Sequence, residues 1–224
     1  MMKKIHLLVS MVVLGGFCAS NCVAADEKLV KLDIKLPKPL FNGTPATMRG
    51  VKLDPVGSGK KRPDFMVSAD VKCISQGKPV TGSDKEPIIG TMDQVTDGDK
   101  EGTDGSFVEF GPGKQYVQID LGAPNQISAI VVWHYHSMAR VYRDVVVQVA
   151  DDADFVTNVK TVFNNDTDNS SGLGKGKDYE YIETSEGKLV DAKGVKARYV
   201  RLYSNGNTST EMNHYIEVEV FGRP

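Results

Sequence analysis

An all-β domain, a sandwich or barrel of short strands, is the fold that this 224-residue sequence predicts. Three observations carry that expectation. From about residue 66 onward, apolar and polar residues alternate over successive short runs. Polar stretches separate the runs, in a chain with 22 glycines and 10 prolines. No capped apolar pattern of 3.6-residue period lasts longer than a turn or two, so helices have no claim on the core.

Along the chain, the first element is not part of the fold. Lys3 and Lys4 precede an apolar run from Ile5 to Phe17, and small residues follow as far as Val23-Ala24-Ala25. That is the layout of a secretory signal peptide, residues 1–25, with export of the mature chain and cleavage after Ala25. The apolar run is too short to span a bilayer, so the mature chain is expected to carry no transmembrane segment. Lipidation at Cys18 or Cys22 is the alternative. Phe17 and Asn21 stand before those cysteines, where such sites need a small residue.

Cleavage leaves 25 basic against 29 acidic groups, and no basic field calls for nucleic acid. Cleavage also leaves Cys73 alone, so no internal disulfide can form and stability must come from the core or a metal. Cys73 sits among apolar residues and reads as a buried, inert thiol. Residues 26–65 form an arm. Prolines at 37, 39, 45, 55 and 63 forbid a long helix and interrupt any ladder, which suits a linker or a strap lying on the domain.

The domain proper, residues 66–224, begins where the strands begin. "YVQIDLG" puts Val117, Ile119 and Leu121 on one face, and a turn is expected in "GAPNQ". "ISAIVVWHYH" puts Ile127, Ala129, Val131, Trp133 and Tyr135 on one face, and Ile130, Val132, His134 and His136 on the other. "VYRDVVVQVA", "ARYVRLYS" and "HYIEVEVFG" supply three more strands. In the last, Ile216, Val218 and Val220 share a face and leave Glu217 on the opposite one.

"GKPVTGSD", "VTDGDKEG", "YVQIDLG", "ISAIVVW", "ARYVRLYS" and "YIEVEVFG" occur in the order found in discoidin, or coagulation factor 5/8 type C, domains. On these fragments residues 70–222 resemble that family. The resemblance implies a galactose-binding-like β-sandwich (a jelly roll) that binds carbohydrate, or alternatively a protein partner, through loops at one end, without catalysis.

It also implies a structural calcium, with Asp97 and Asp99 as loop ligands and Glu217 as the strand ligand. Oxygen ligands alone suit a hard cation. The helix-loop-helix calcium motif is excluded for the same loop, because its twelfth position is Val108 rather than a glutamate. A solvated acidic turn is the plainer reading.

By the same resemblance, the ligand rim comprises His136, Arg140, Tyr142, Asn205, Asn207, Asn213 and His214. Amides, a guanidinium and aromatic rings suit sugar hydroxyls and the apolar face of a pyranose. The chain departs from the family's sugar-binding members in two places. Ser106 and Phe107 stand where a Trp-His pair is usual, and the short loop "SMARVYRD" matches an arginine but not the asparagine that follows it.

The histidines admit two further readings. Residues i and i+2 of a strand lie roughly 6.5–7 Å apart on one face, so His134 and His136, with His214, could hold a metal for a hydrolase. Arg140 and Val141 stand where a cupin-like site needs a glutamate, which opposes that idea. Otherwise the rings are packed and hydrogen-bonded inside the sandwich. "GLGKGKD" has three residues between Gly172 and Gly176 and Asp178 in place of Ser or Thr, so it reads as a flexible loop rather than a phosphate loop. "NNDTDNSSG", around Asp166 and Asp168, reads as an exposed turn, with a second cation as the alternative. Export fixes one outcome: mass spectrometry of the exported protein should place its N-terminus at Asp26, and retention of residues 1–25 would contradict the leader.

Overall fold

The computed structural model describes residues 28–40, 51–53 and 61–224. The expected signal peptide lies outside the described residues. Among those described, the strands are β1 (Leu29–Lys31), β2 (Met66–Ser68), β3 (Lys72–Cys73), β4 (Val80–Gly82), β5 (Val108–Phe110), β6 (Gln115–Trp133), β7 (Val146–Ala150), β8 (Lys160–Asn164), β9 (Lys188–Ser204), β10 (Asn213–Tyr215) and β11 (Glu217–Arg223). A 3-10 helix covers Met92–Thr96. None of the described helices is long and apolar enough to cross a membrane.

Seven strands form one antiparallel sheet in the order β3-β11-β6-β9-β7-β8, with β4 also on β6. Two short ladders, β5–β10 and β1–β2, complete the architecture. β6 and β9 organise it, because each belongs to both halves of the sandwich. Their pairing is interrupted between Asp120 and Asn125 of β6, where four residues stand opposite Arg198 alone. Extra residues in one strand bend it, and the bend folds the sheet over on itself. Arg198 secures the corner with two hydrogen bonds to Asp120, at 2.7 and 2.8 Å. The "GAPNQ" stretch is thus a corner within β6 rather than a turn between strands.

Inside the fold, Val117, Ile119 and Leu121 from one half of β6 meet Ile130 and Val132 from the other, together with Val200, Leu202, Val218 and Val220. The sandwich predicted from alternation is the one observed. Two facings differ from those expected. A second irregularity, between Ile127 and Ala129, moves Ile127 into this inner core, away from Ala129, Val131 and Trp133. The inserted residues are on β9, where Lys193 and Gly194 take positive φ angles of 53° and 69°. Ile216 also differs from its expected facing. The chain leaves the ladder between Tyr215 and Glu217, and Ile216 packs with Trp133 rather than with Val218 and Val220.

Ala129, Val131, Trp133, Ile216 and Phe221 form a second apolar cluster on the outer face of the sheet. Leu32 from the N-terminal arm, Val67 of β2 and Phe107 cover it, and β1 pairs with β2 at the edge of this cover. The arm's described residues therefore lie on the domain as a strap. Cys73 is half-buried, 3.5 Å from the Ser75 hydroxyl, rather than fully enclosed.

Trp133 is fully buried, and its Nε1 donates to the Ser185 carbonyl at 3.0 Å. Gly187 lies against the ring, and a Cβ there would come within 2.6 Å of it. Its φ of +64° also disfavours any side chain. Trp133→Ala should reduce the free energy of unfolding by about 3–5 kcal/mol in urea titrations. A loss below about 1 kcal/mol would show that the cluster under the strap contributes little.

Candidate functional site

β6 ends at Trp133, and the Trp133 carbonyl accepts a hydrogen bond from Ile216 N at 2.8 Å. The next residues, His134 to His136, leave the ladder and enter the end of the sandwich. His134 Nδ1 is 2.7 Å from Glu183 Oε1, with both side chains fully buried, and its ring stacks on Tyr142 at 4.3 Å. The Tyr142 hydroxyl donates to His214 Nδ1 at 2.8 Å, and His214 Nε2 lies 3.0 Å from Glu109. Arg140 lies over the Tyr135 ring at 4.6 Å. Burial pushes His214 down to about 3, with Arg140 and His134 adding repulsion of the same sign. Burial likewise raises Glu109, against the opposing effect of Arg140.

These contacts reassign several rim residues. Arg140 is only 3% exposed, and His136, Tyr142, Asn213 and His214 are buried with it. The reason is that β10 pairs with β5 and closes over the chain leaving β6. Nor do the histidines converge on an ion. His136 Nε2 donates to the Lys100 carbonyl at 2.8 Å, while His134 and His214 face carboxylates. Among the described residues, the group of His, Cys, Asp or Glu side chains with ligand atoms within 4.8 Å of one another is Asp144, Asp166 and Asp168.

Asn205 and Asn207 do line an opening. It is a groove of about 640 Å³ beside the buried end, and Pro112, Gly113, Arg143, Asp144, Asn165 and Asp168 line it with them. Asparagine and aspartate side chains hold its walls. Asn213 Nδ2 donates to the carbonyls of Gly111 and Gly113, and its Oδ1 accepts from Gly206 N and the Ser204 hydroxyl. Asn207 is bonded within its own loop, to Ser209, Thr210 and Met212. Asp144 Oδ2 accepts from Asn205 Nδ2 and from the Ser170 hydroxyl, both at 2.7 Å.

"NNDTDNSSG" forms another wall. It is not an exposed turn throughout, because Asp166 is fully buried and accepts from the amides of Asn169, Ser170 and Ser171 and from the Ser171 hydroxyl. "GLGKGKD" is fastened too: Gly176 N donates to the Asp166 carbonyl, and Asp178 accepts from Asn164 N at 2.7 Å. Sequence reasoning missed Arg143, Asp144 and Asn165 as groove residues. The density of Asn, Asp and Ser was the available signal, since those side chains form such loop bonds.

The acidic loop lies elsewhere. Glu217 Oε2 accepts from Gly98 N at 3.1 Å, and its buried Oε1 has no partner among the described residues. Burial pushes Glu217 up to about 8; Glu219 and Asp97 add to the rise, while the Gly98 amide and Lys100 oppose it. Lys100 Nζ lies 2.5 Å from Glu219. Asp97 and Asp99 each accept a loop amide, from Asp99 N and Glu101 N. An uncompensated buried carboxylate oxygen beside this loop is chemically suited to a cation.

Residues 94–202 match the F5/8 type C family model described as a NedA-like, galactose-binding domain. They form an F5/8 type C domain. A search of curated protein sequences gives no match. Among solved structures, the F5/8 type C domain is similar to the CBM32 of AlyQ in complex with 4,5-unsaturated mannuronic acid, at 16% identity and a TM-score of 0.47. That match covers 64% of this chain and 93% of the other. Also similar is a Streptococcus pneumoniae fucose-binding module, at 16% identity and a TM-score of 0.45, with 66% and 96% covered. A family 89 glycoside hydrolase from Clostridium perfringens matches at 22% identity and a TM-score of 0.49, over 67% of this chain but 14% of the hydrolase.

Two measurements test the buried end. Arg140→Ala should lose more than about 1 kcal/mol of stability, because truncation empties a buried site against the Tyr135 ring and removes the positive charge near half-buried Glu109. A melt within about 0.5 kcal/mol of wild type would restore Arg140 to an exposed rim. His214 is neutral in the fold and binds protons more readily in the unfolded chain. Its contribution is therefore intact above the unfolded value near 6.5 and is lost as pH falls from there towards about 3. The stability difference between wild type and His214→Gln should narrow across that interval, and a constant difference would contradict the buried neutral ring.

Proposed function

We propose that this chain is an exported, non-catalytic carbohydrate-binding module that holds its ligand in the groove beside Asn205 and Asn207. The observation that carries this reading is the groove itself. Its volume falls within the range of ligand sites, roughly 300–1,000 Å³. Its lining offers amides, carboxylates, threonine hydroxyls and one guanidinium, all able to bond sugar hydroxyls. The match to a galactose-binding family model supports the same class of ligand. Arg143, exposed at the groove, takes the part that the resemblance gave to Arg140. His136, Arg140, Tyr142, Asn213 and His214 support the loops from beneath. The adhesive, protein-binding alternative has no specific contact surface in its favour. Among the described residues the three histidines do not gather their ligand atoms into a metal-sized group, which counts against the hydrolase reading.

A glycan array on the mature protein, followed by calorimetry, tests the proposal. Arg143→Ala should weaken the best saccharide at least tenfold and leave the thermal midpoint unchanged. Equal affinities would remove the groove from the binding site.

Structural calcium is the second component of the proposal, held by Glu217, Asp97 and Asp99. A cation there would neutralise the buried Glu217 carboxylate and tie β11 to the loop after the 3-10 helix. Binding to the native state alone adds about 2.7 kcal/mol at a hundredfold excess over Kd. Chelation should lower the Tm of wild type but not of Asp97→Ala. A chelator-insensitive wild-type melt would leave the loop as an acidic turn.

A further inference from the structure

One wall of the groove comes from outside the sandwich. Val51, in the N-terminal arm, lines it beside Glu180. Residues 94–202 carry the family match, so Val51 stands outside the part of the chain that defines the domain. Leu53 forms a parallel bridge with Glu180. Glu180 N donates to the Lys52 carbonyl at 3.0 Å, and the Glu180 carboxylate accepts from Lys52 N at 2.5 Å. Asp178 repeats the arrangement on its other neighbour. Its amide donates to the Asn164 carbonyl at 3.0 Å, and its carboxylate accepts from Asn164 N at 2.7 Å. Residues 178–180 thus join the arm to the end of β8, and the chain after β8 continues along the groove through Asn165, Thr167 and Asp168.

The arm is held on both sides of Val51. Before it, Leu32 packs into the outer cluster. After it, the Lys52 ammonium lies 5.2 Å from the centre of the Tyr179 ring, and Arg62 donates to the Glu186 carboxylate and to the carbonyls of Glu186 and Gly187. Val51 and Leu53 are half-buried while Lys52 is exposed, the alternation of a strand laid on a surface. Val51 also differs in chemistry from its neighbours. Among the described residues that line the groove, only Val51 and Pro112 carry hydrocarbon side chains. Ligand pockets are mostly apolar with a few placed polar groups. Here the proportions are reversed, so each carbon surface weighs more. A sugar ring presents C–H bonds as well as hydroxyls, and moving those C–H groups from water onto carbon is favourable.

From this placement we infer that the N-terminal arm completes the ligand site, with Val51 packing against the C–H face of a bound saccharide and Glu180 positioning it by holding Lys52. The inference rests on the proposed carbohydrate groove and adds to it a contact from outside the domain. Glu180 acts through the arm, because its carboxylate oxygen is engaged by the Lys52 amide. That bond needs an acceptor oxygen and no charge. Glutamine supplies such an oxygen and alanine does not.

A glycan array titrated with the labelled full mature protein, wild type and variants, tests the inference, with the thermal midpoint of each recorded. On the glycan that wild type binds best, Val51→Asp should weaken binding about tenfold or more, since it sets a carboxylate against C–H groups. Val51→Ala should weaken it about fivefold, the share of the methyl groups removed. Glu180→Ala should match Val51→Ala, while Glu180→Gln, which also lacks the charge, should bind like wild type. Equal losses in the two Glu180 variants would overturn the positioning role. If Arg143→Ala weakens binding and both Val51 variants bind like wild type, the arm inference fails and the groove stands. If wild type binds no glycan, or no variant changes affinity, groove and inference fail together. Should Val51→Asp also lower the thermal midpoint, Val51→Ala decides, and unchanged affinity there overturns the inference.

Discussion

Asn213 is the constraint on which the loop end depends. Fully buried, it bonds with both amide hydrogens and its carbonyl oxygen at once, to Gly111, Gly113, Gly206 and Ser204. A buried side-chain amide is stable only when its donors and acceptors are met, so these backbone segments cannot move independently. Two of them, at Gly113 and Gly206, are walls of the groove. A surface made of loops is thereby given the rigidity of a strand, which would reduce the ordering cost of the proposed binding.

Beneath the groove, the sandwich buries other polar side chains as well as amides. The His134–Glu183 contact, the Tyr142 stack and the Tyr142–His214–Glu109 chain fill the space where the two layers would otherwise meet as apolar residues. Buried polar networks of this kind are costly unless their geometry is met, and they specify one arrangement of the chain. His134 Nδ1, His136 Nε2 and both nitrogens of His214 face separate protein partners, while His134 Nε2 and His136 Nδ1 are buried without one among the described residues. Through those contacts the pair of histidines supports the loop end.

The sandwich was legible in the sequence because alternation reports burial directly: Val117, Ile119 and Leu121 face inward as their spacing requires. What alternation cannot report is an inserted residue. The irregularity opposite Lys193 and Gly194 parts Ile127 from Ala129, and the break at Ile216 turns that side chain outward. Such shifts depend on pairing with a distant strand, which one segment's pattern does not contain. The candidate groove was legible only in part for a related reason. Asn205 and Asn207 were found on the groove, but Arg140 and Arg143 look alike in sequence. Only the closure of β10 over the end of β6 separates the buried guanidinium from the exposed one. Asp166, likewise, has the surroundings of a surface turn until four donors gather around it.

At the centre of this account is a preformed groove whose floor and walls are set before any ligand binds. Amide hydrogen exchange of the mature protein, free and loaded with its best saccharide, tests that most directly. The account predicts that the amides of Asn169, Ser170 and Ser171, held by Asp166, exchange slowly already in the free protein. Saccharide should add protection across residues 143–144, 165–171 and 205–211 and leave residues 134–142 unchanged. New protection confined to residues 134–142, with fast exchange in the groove loops of the free protein, would contradict it.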